Sequence, residues 1–379
     1  WKVEISNVQY DGYVSNWQVK YKLSTNDFWQ TSNELTFYVT EQGYYDIKVV
    51  HGTEIELETN KTLIGDLVAD NVNKIISEKK NTELLDENGN KIVVPAGFKI
   101  VSDSTTSNAT TVDKGIVIED ATSGATAGSQ FVWVPVGKIY TDVEKNEANA
   151  KTIEVGRYSF DSTGVKSVYS GNYVEEDRED TTNSLKNWGN TIAKNITNFK
   201  NSVAISGGYY IGRYEARTTA TRTSKDDTLT QITEKGTDSV YNYVAQKQAA
   251  EQAQNMYNSN KFTSDLMNSY AWDTATLFLQ TCGTNATYSR KDSVNTTLSQ
   301  KGTNTQSTKD VQCNVYDMAS NVREWTTETS NRSPAPNAYY PCVYRGGSYS
   351  IRGDYTSYRN DYPTYNSDAS FGFRPLLFV

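Results

Sequence analysis

The end of the chain constrains it most. Asn314-Val315-Tyr316-Asp317-Met318-Ala319-Ser320-Asn321-Val322-Arg323-Glu324-Trp325, Arg345-Gly346-Gly347-Ser348-Tyr349 and Gly372-Phe373-Arg374-Pro375 follow one another near the C-terminus. Between Ser348 and Ser370 the residues are almost wholly Tyr, Ser, Asn, Asp, Thr, Arg and Gly. Rigid aromatic side chains interleaved with adaptable polar ones are the chemistry of binding surfaces. Residues 344–370 are therefore expected to present a ligand-binding face made of Tyr349, Arg352, Asp354, Tyr355, Tyr358, Asn360, Asp361, Tyr362, Thr364, Tyr365, Asn366 and Asp368. One or two of the tyrosines should face the core and satisfy their hydroxyls there. Arg345, Gly346, Gly347, Phe371, Gly372, Phe373 and Arg374 frame the segment as scaffold. The glycine pairs at 207–208 and 346–347 lack the spacing and the Lys of a phosphate loop, so they read as tight turns or close backbone packing.

The three blocks, in this order, resemble the formylglycine-generating-enzyme (sulfatase-modifying factor) family. Phe131-Val132-Trp133-Val134-Pro135-Val136-Gly137 resembles its opening strand, and Tyr209 to Glu215 a following one. Leu266 to Asp273 looks like the start of its second helix, in a divergent copy. The resemblance covers roughly residues 130–379 and implies a C-type lectin-like fold. It also implies what is missing. The family's enzymes carry two copper-binding cysteines at the second and seventh positions after the Arg-Gly-Gly-Ser-aromatic block, where this chain has Ile351 and Thr356. Neither forms a thiolate or binds copper. Neither copper nor oxidase chemistry is expected.

In related enzymes the segment matching Asp317 to Glu324 wraps a calcium ion. The resemblance implies Asp317 and Glu324 as side-chain ligands and the carbonyls of Ser320 and Val322 as the rest of a structural shell; hard oxygen donors on a tight loop suit Ca²⁺. Ser320 and Arg323 depart from the family's usual Gly and aromatic. The alternative is a purely structural turn, with Asp317 capping backbone and Glu324 paired to Arg323 or Arg345.

From Thr329 onward there is no Lys, Glu, Gln, Met or Trp. Those five types are the ones that adenine changes in an Asn codon cannot write. The tail thus resembles the variable proteins of diversity-generating retroelements, which mutate adenines in a C-terminal cassette and often carry this lectin-type fold. A Tyr/Asn-rich surface loop in an ordinary family member would give a similar composition.

Ahead of this domain, residues 1–59 alternate apolar and polar residues over 17–23, 35–39, 45–49 and 55–57, with turn residues between. That predicts a small β-sandwich resembling immunoglobulin or fibronectin modules. Residues 60–129 are expected to be a connector: a helix over 61–80 on Leu63, Leu67, Val72, Ile75 and Ile76, a hairpin turning at Asn88-Gly89, then polar loop with one strand at 115–118. A helix is predicted over 241–257, burying Val240, Tyr243, Val244 and Met256. The fold class expected is α+β.

The formal net charge of -8 and the lack of a basic stripe argue against a nucleic-acid partner; the densest basic run, Lys74 to Lys80, is short and holds Glu78. No apolar run reaches the roughly 20 residues of a membrane span. His51 is the only histidine, and Cys282, Cys313 and Cys342 form no CxxC, which excludes His/Cys zinc and haem sites. One disulfide among the three cysteines is open. Acidic runs such as 175–177 and 226–227 read as solvated loops, not as a carboxylate pair across a cleft. The chain opens at Trp1 without Met, as a mature or trimmed product would, and the composition favours an outside location. These features together predict a non-enzymatic receptor or adhesin, displayed on a bacterial surface or pilus or on a phage particle, that binds a protein or glycan. The alternatives are an enzyme of the same fold with a relocated active site and a structural surface or pilus subunit.

Overall fold

Alternating apolar residues in the first sixty positions build one face each of several short strands. The computed structural model describes residues 1–5, 17–102, 109–177, 192–257, 259–292, 298, 310–330, 340–351 and 353–379. Strands β2 (Trp17–Leu23), β3 (Gln30–Ser32), β5 (Gly43–His51) and β6 (Glu54–Ile64) form an antiparallel sheet in the order β3-β2-β5-β6, and β1 (Lys2–Glu4) pairs with β4 (Thr36–Tyr38). Val19, Tyr45, Ile47 and Val49 point from the sheet onto Phe37 and Val39 of the ribbon, with the Tyr21 and Phe37 rings stacked at 4.2 Å. Among the described residues this is a small two-sheet β module.

The helix expected over 61–80 does not form. β6 runs on to Ile64, past the expected module boundary at 59, because Thr62, Leu63 and Ile64 pair with Tyr45, Tyr44 and Gly43 beyond a bulge. Lys61 takes a left-handed φ of 54° next to that bulge. Further along, Leu67, Val72 and Ile75 make single β-bridges to Leu85, Ile100 and Lys99, and one 3-10 turn spans Ala69–Asn71. Apolar residues at helical spacing here serve the edges of two sheets, a tertiary override of local pattern.

The Asn88-Gly89 turn joins β7 (Thr82–Leu85) to β8 (Lys91–Val94) as expected, with Gly89 at φ 74°. Then β9 (Phe98–Val101), β10 (Val117–Asp120) and β11 (Gln130–Pro135) enter a six-stranded antiparallel sheet. From one edge it runs Thr263–Leu266, Pro375–Phe378, Gly208–Gly212, β11, β10, β9. The larger domain's sheet therefore starts well ahead of residue 130. The unbroken apolar runs at 116–118 and 131–134 fit strands covered on both faces, and these residues are wholly buried.

Among the described residues, three α-helices flank the sheets. α1 (Ile196–Ser206) is N-capped by Asn195, whose side chain accepts from Asn198 N, and ends at Gly207 with φ 76°. Its Phe199 packs on Tyr209 and Phe378 of the large sheet. α2 (Gln246–Gln254) lies inside the span predicted, with Val240, Val244 and Met256 buried but Tyr243 only half-buried, at a φ of 51°. α3 (Ser269–Cys282) is capped by Asn268 and buries Ala271, Trp272, Ala275, Phe278 and Leu279. A second sheet holds Tyr173–Val174, Arg323–Ser330, Cys342–Arg345 and Arg359–Tyr362, with Phe371–Phe373 parallel to Arg323–Ser330. The chain is thus β-rich α+β. No helix of the described residues is long and apolar enough to cross a membrane.

Candidate functional site

The C-terminal segment is pinned by buried charge at both ends. At its start the wholly buried Arg345 donates through Nη2 to Asp273 of α3 and through Nε to Tyr358 O at 3.0 Å. Asp273 also accepts from Arg359 Nη2 at 2.7 Å and from Tyr158 N at 2.9 Å. Arg359 Nε reaches Glu328 Oε2 at 2.9 Å, and Arg157 donates to the other Glu328 oxygen. Gly346 and Gly347 then pass flush against the preceding loop: a Cβ on either would lie 2.5 Å from Met318 O or 2.2 Å from Ala319 O. This is the close packing that the paired glycines imply. At the far end Phe371 stacks on Trp325 at 4.7 Å and Phe373 meets Tyr241 edge-on at 5.5 Å. Arg374 grips Glu324 bidentately, Nη2 to Oε1 at 2.7 Å and Nε to Oε2 at 3.1 Å, and also donates to Gly212 O and Tyr316 O.

Between these anchors the segment lies across the second sheet and against residues 288–292. Thr356 N donates to Lys291 O, Ser357 N to Ser289 O, and Trp272 Nε1 to Thr356 O. An aromatic row results. The Arg290 guanidinium covers Tyr355 at 3.5 Å; Tyr355 meets Tyr358 at 5.6 Å, Tyr358 meets Tyr344 at 6.1 Å, and Tyr362 packs between Tyr344 and Phe371. Tyr365 is 62% exposed, and Asp368 is exposed. Tyr349, Tyr355, Tyr358, Asn360, Tyr362, Thr364 and Asn366 are half-buried. Tyr358 and Tyr362 lean on the hydrophobic core, as expected for one or two of the tyrosines.

Two predicted face residues are corrected. Asp354 and Asp361 are buried. Asp361 accepts from Ser330 Oγ at 2.6 Å, and Asp354 faces Arg323, Nε to Oδ2 at 3.5 Å. Both shape the face from beneath instead of presenting carboxylates to solvent. Arg352 lies outside the described residues. Sequence reasoning missed Arg290, Tyr344 and Arg359. Arg290 sits far upstream with no local signal, whereas Arg323, which lies over Tyr344 and Phe371 at about 5 Å, was visible as the residue replacing the family's usual aromatic.

Of the expected calcium ligands, Glu324 is already committed to an arginine. Both Glu324 oxygens accept from Arg374, so an ion bound there would have to displace a buried guanidinium. Asp317, at φ 61°, accepts from Ser320 Oγ at 2.9 Å, and Val322 N donates to Glu215 Oε1 at 3.0 Å. Burial, with Asp310 alongside, pushes the Asp317 carboxyl up to about 7. Among the described residues no three His, Cys, Asp or Glu side chains are arranged to hold a metal ion. The block forms a hydrogen-bonded turn with Glu324 paired to Arg374, not to Arg323 or Arg345. Exhaustive chelation should accordingly leave the melting temperature unchanged. Glu324→Gln should destabilise by about 3–5 kcal/mol, because it leaves Arg374 buried without its anion. A fall in melting temperature on chelation, reversed by calcium, would overturn this assignment.

Ile351 is 43% exposed and Thr356 is wholly buried, so the two positions where the family's enzymes carry cysteines differ in setting as well as in chemistry. No family model and no curated protein matches the sequence. A solved structure, Treponema denticola variable protein 1, aligns at 13% identity over 68% of this chain and 99% of its own, with a TM-score of 0.36.

Proposed function

We propose that the chain is a non-enzymatic binding protein whose C-terminal face, carried on a C-type lectin-like domain, takes up a protein or glycan. The observation that carries this is the contrast within residues 345–374. The framing residues Arg345, Phe371, Phe373 and Arg374 are wholly buried, while the tyrosines and amides between them remain partly open to solvent. A segment fixed at both ends loses less entropy on binding than a free loop, so its contacts convert better into affinity. Tyr355, Tyr358 and Tyr362 offer rigid aromatic surface, with Asn360, Thr364, Asn366 and Asp368 as hydrogen-bonding partners around it. The composition of the tail, writable by adenine changes alone, supports a variable protein of a diversity-generating retroelement, displayed outside a bacterial cell or on a phage particle.

The test is a binding screen of the purified chain against a glycan array and a panel of bacterial and host surface proteins. A combined Tyr355→Ala, Tyr365→Ala, Asp368→Ala variant should keep its fold and lose every specific hit by at least about tenfold, the loss of one hot-spot contact. Hits that survive the triple variant would place binding elsewhere. Spontaneous filaments of the wild type would favour a structural subunit. Sequencing the flanking DNA checks the retroelement part: a reverse transcriptase and a near-repeat of the tail's coding sequence are expected.

A further inference from the structure

Cys282 and Cys313 belong to two elements that touch at one turn. The strands Val311–Gln312 and Val315–Tyr316 pair antiparallel, and the residues joining them, Cys313 and Asn314, have φ of 43° and 65°. A two-residue turn with both central residues left-handed favours Asn and Gly, and Asn314 fits that preference. Cys313 carries a Cβ there at a steric cost. The turn sits on the 3-10 segment Val112–Lys114 and on Gly115. Asn314 Nδ2 donates to Gly115 O at 2.6 Å and Lys114 O at 3.2 Å, the Cys313 thiol points to Asp113 O at 3.7 Å, and a Cβ on Gly115 would lie 2.0 Å from Cys313 O.

The C-terminus of α3 arrives at the same place. Its last residue is Cys282. Immediately beyond it, Thr284 N and Asn285 N donate to Gln312 Oε1 at 2.7 and 3.3 Å, and a Cβ on Gly283 would lie 2.3 Å from that oxygen. The residue after Cys282 therefore touches the residue before Cys313. Lys114 lies within electrostatic reach of both thiols. Each is half-buried and free, whereas Cys342 is sealed within its strand.

We propose that Cys282 and Cys313 close into a disulfide when the protein meets an oxidising medium, stapling α3 to the 311–316 hairpin. One cysteine, as thiolate, attacks a sulfur of a small-molecule disulfide such as glutathione disulfide, releasing one thiol and forming a mixed disulfide. The second cysteine gives up its proton and displaces the remaining small thiol. Two electrons pass from the protein's sulfurs to the oxidant, and the two cysteine protons end on the released thiols. Burial pushes the Cys282 thiol up to about 12 and the Cys313 thiol higher still, so closure is slow at neutral pH and accelerates in alkaline buffer. The bond would brace the face. α3 carries Asp273, which holds Arg345, and the hairpin leads into the loop whose Ala319 and Asn321 carbonyls abut Gly347 and accept from Tyr349 N at 2.9 Å. The proposal does not depend on what that face binds.

The test is a peptide mass map of the full chain after equilibration with glutathione disulfide at alkaline pH, with free thiols alkylated under denaturing, non-reducing conditions. The expected result is one linked pair of peptides containing Cys282 and Cys313, lighter by two hydrogens than the separate thiol peptides, with Cys342 alkylated. The oxidised protein should melt several degrees above the reduced one, and Cys313→Ser should abolish that difference. Full alkylation of both cysteines after prolonged oxidation, glutathione adducts without a link, or a link through Cys342 would each overturn the proposal.

Discussion

Asp273→Asn is expected to cost about 3–5 kcal/mol of stability, the range for removing one partner of a buried ion pair. Asp273 is the common anion of Arg345 and Arg359, and its oxygens face one guanidinium each. The surrounding network holds three arginines, Arg157, Arg345 and Arg359, against two carboxylates, Asp273 and Glu328. Taking away a carboxylate leaves three cations around one anion, with Arg345 sealed from water. Arg345→Met should cost less, because it leaves two cations and two anions and keeps most of the buried stem. That ordering separates charge balance from simple contact loss. It would fail if Asp273→Asn lay within about 1 kcal/mol of wild type, or if Arg345→Met were the worse of the two, by urea midpoint at pH 7. The pH dependence gives a second check. Burial alone would raise the Asp273 carboxyl, but the Arg345 and Arg359 guanidiniums outweigh it and hold the group below the usual carboxylate range. A depressed folded value contributes stability above the unfolded pKa of about 3.9 and loses it as pH falls through the folded value. The gap between wild type and Asp273→Asn should therefore close as the pH drops below about 4.

This network shows where the sequence stops being readable. The Arg-Gly-Gly and Gly-Phe-Arg blocks were legible as scaffold because they match the pattern of the family the chain resembles. Glycines permit close backbone approach, and each arginine lies next to the strand it fixes. The partners of Arg345 were not legible. Its two carboxylates come from positions 273 and 328 and the cations that share them from 157 and 359, with no common spacing, and Arg359 sits in a segment whose composition advertises surface. The same limit explains Asp354 and Asp361. In a Tyr/Asn/Ser/Asp stretch, which carboxylate turns inward depends on a distant Arg323 or Ser330. Strands with clean alternation, such as Tyr45 to Val49, were found with their faces correct. The stretch over 61–80 failed for the opposite reason: its apolar spacing fits a helix, but a strand already waiting at Gly43–Tyr45 offered ladder hydrogen bonds that a marginal helix could not match.

Alanine substitutions along the C-terminal segment should give a graded series, and the grading tests the binding face itself. Phe373 is wholly buried against Tyr241, so Phe373→Ala should cost about 3–5 kcal/mol. Tyr358 and Tyr362 are half-buried, with rings on Tyr344 and, for Tyr362, on Phe371. Each should lose roughly half of a full aromatic burial, about 1–2 kcal/mol. Tyr355→Ala forfeits mainly its stacking with Arg290 and Tyr358, worth about 1 kcal/mol. Tyr365→Ala should stay within about 0.5 kcal/mol, the usual range for exposed positions, whereas Asp368→Ala also loses the bonds its carboxylate accepts from Ser370 N and Oγ and should cost about 1 kcal/mol. For ligand affinity the order should differ: Tyr365 and Tyr355 matter most and Phe373 acts only through folding. Residues that hold a scaffold and residues that meet a partner are thus separated by two independent measurements on the same variants. If Tyr365→Ala proved as destabilising as Phe373→Ala, its ring would belong to the core and the face would lose its most exposed anchor. If stability followed the grading but no ligand responded to Tyr365 or Tyr355, the open side chains would be ordinary surface, and the proposed binding role would fall with them.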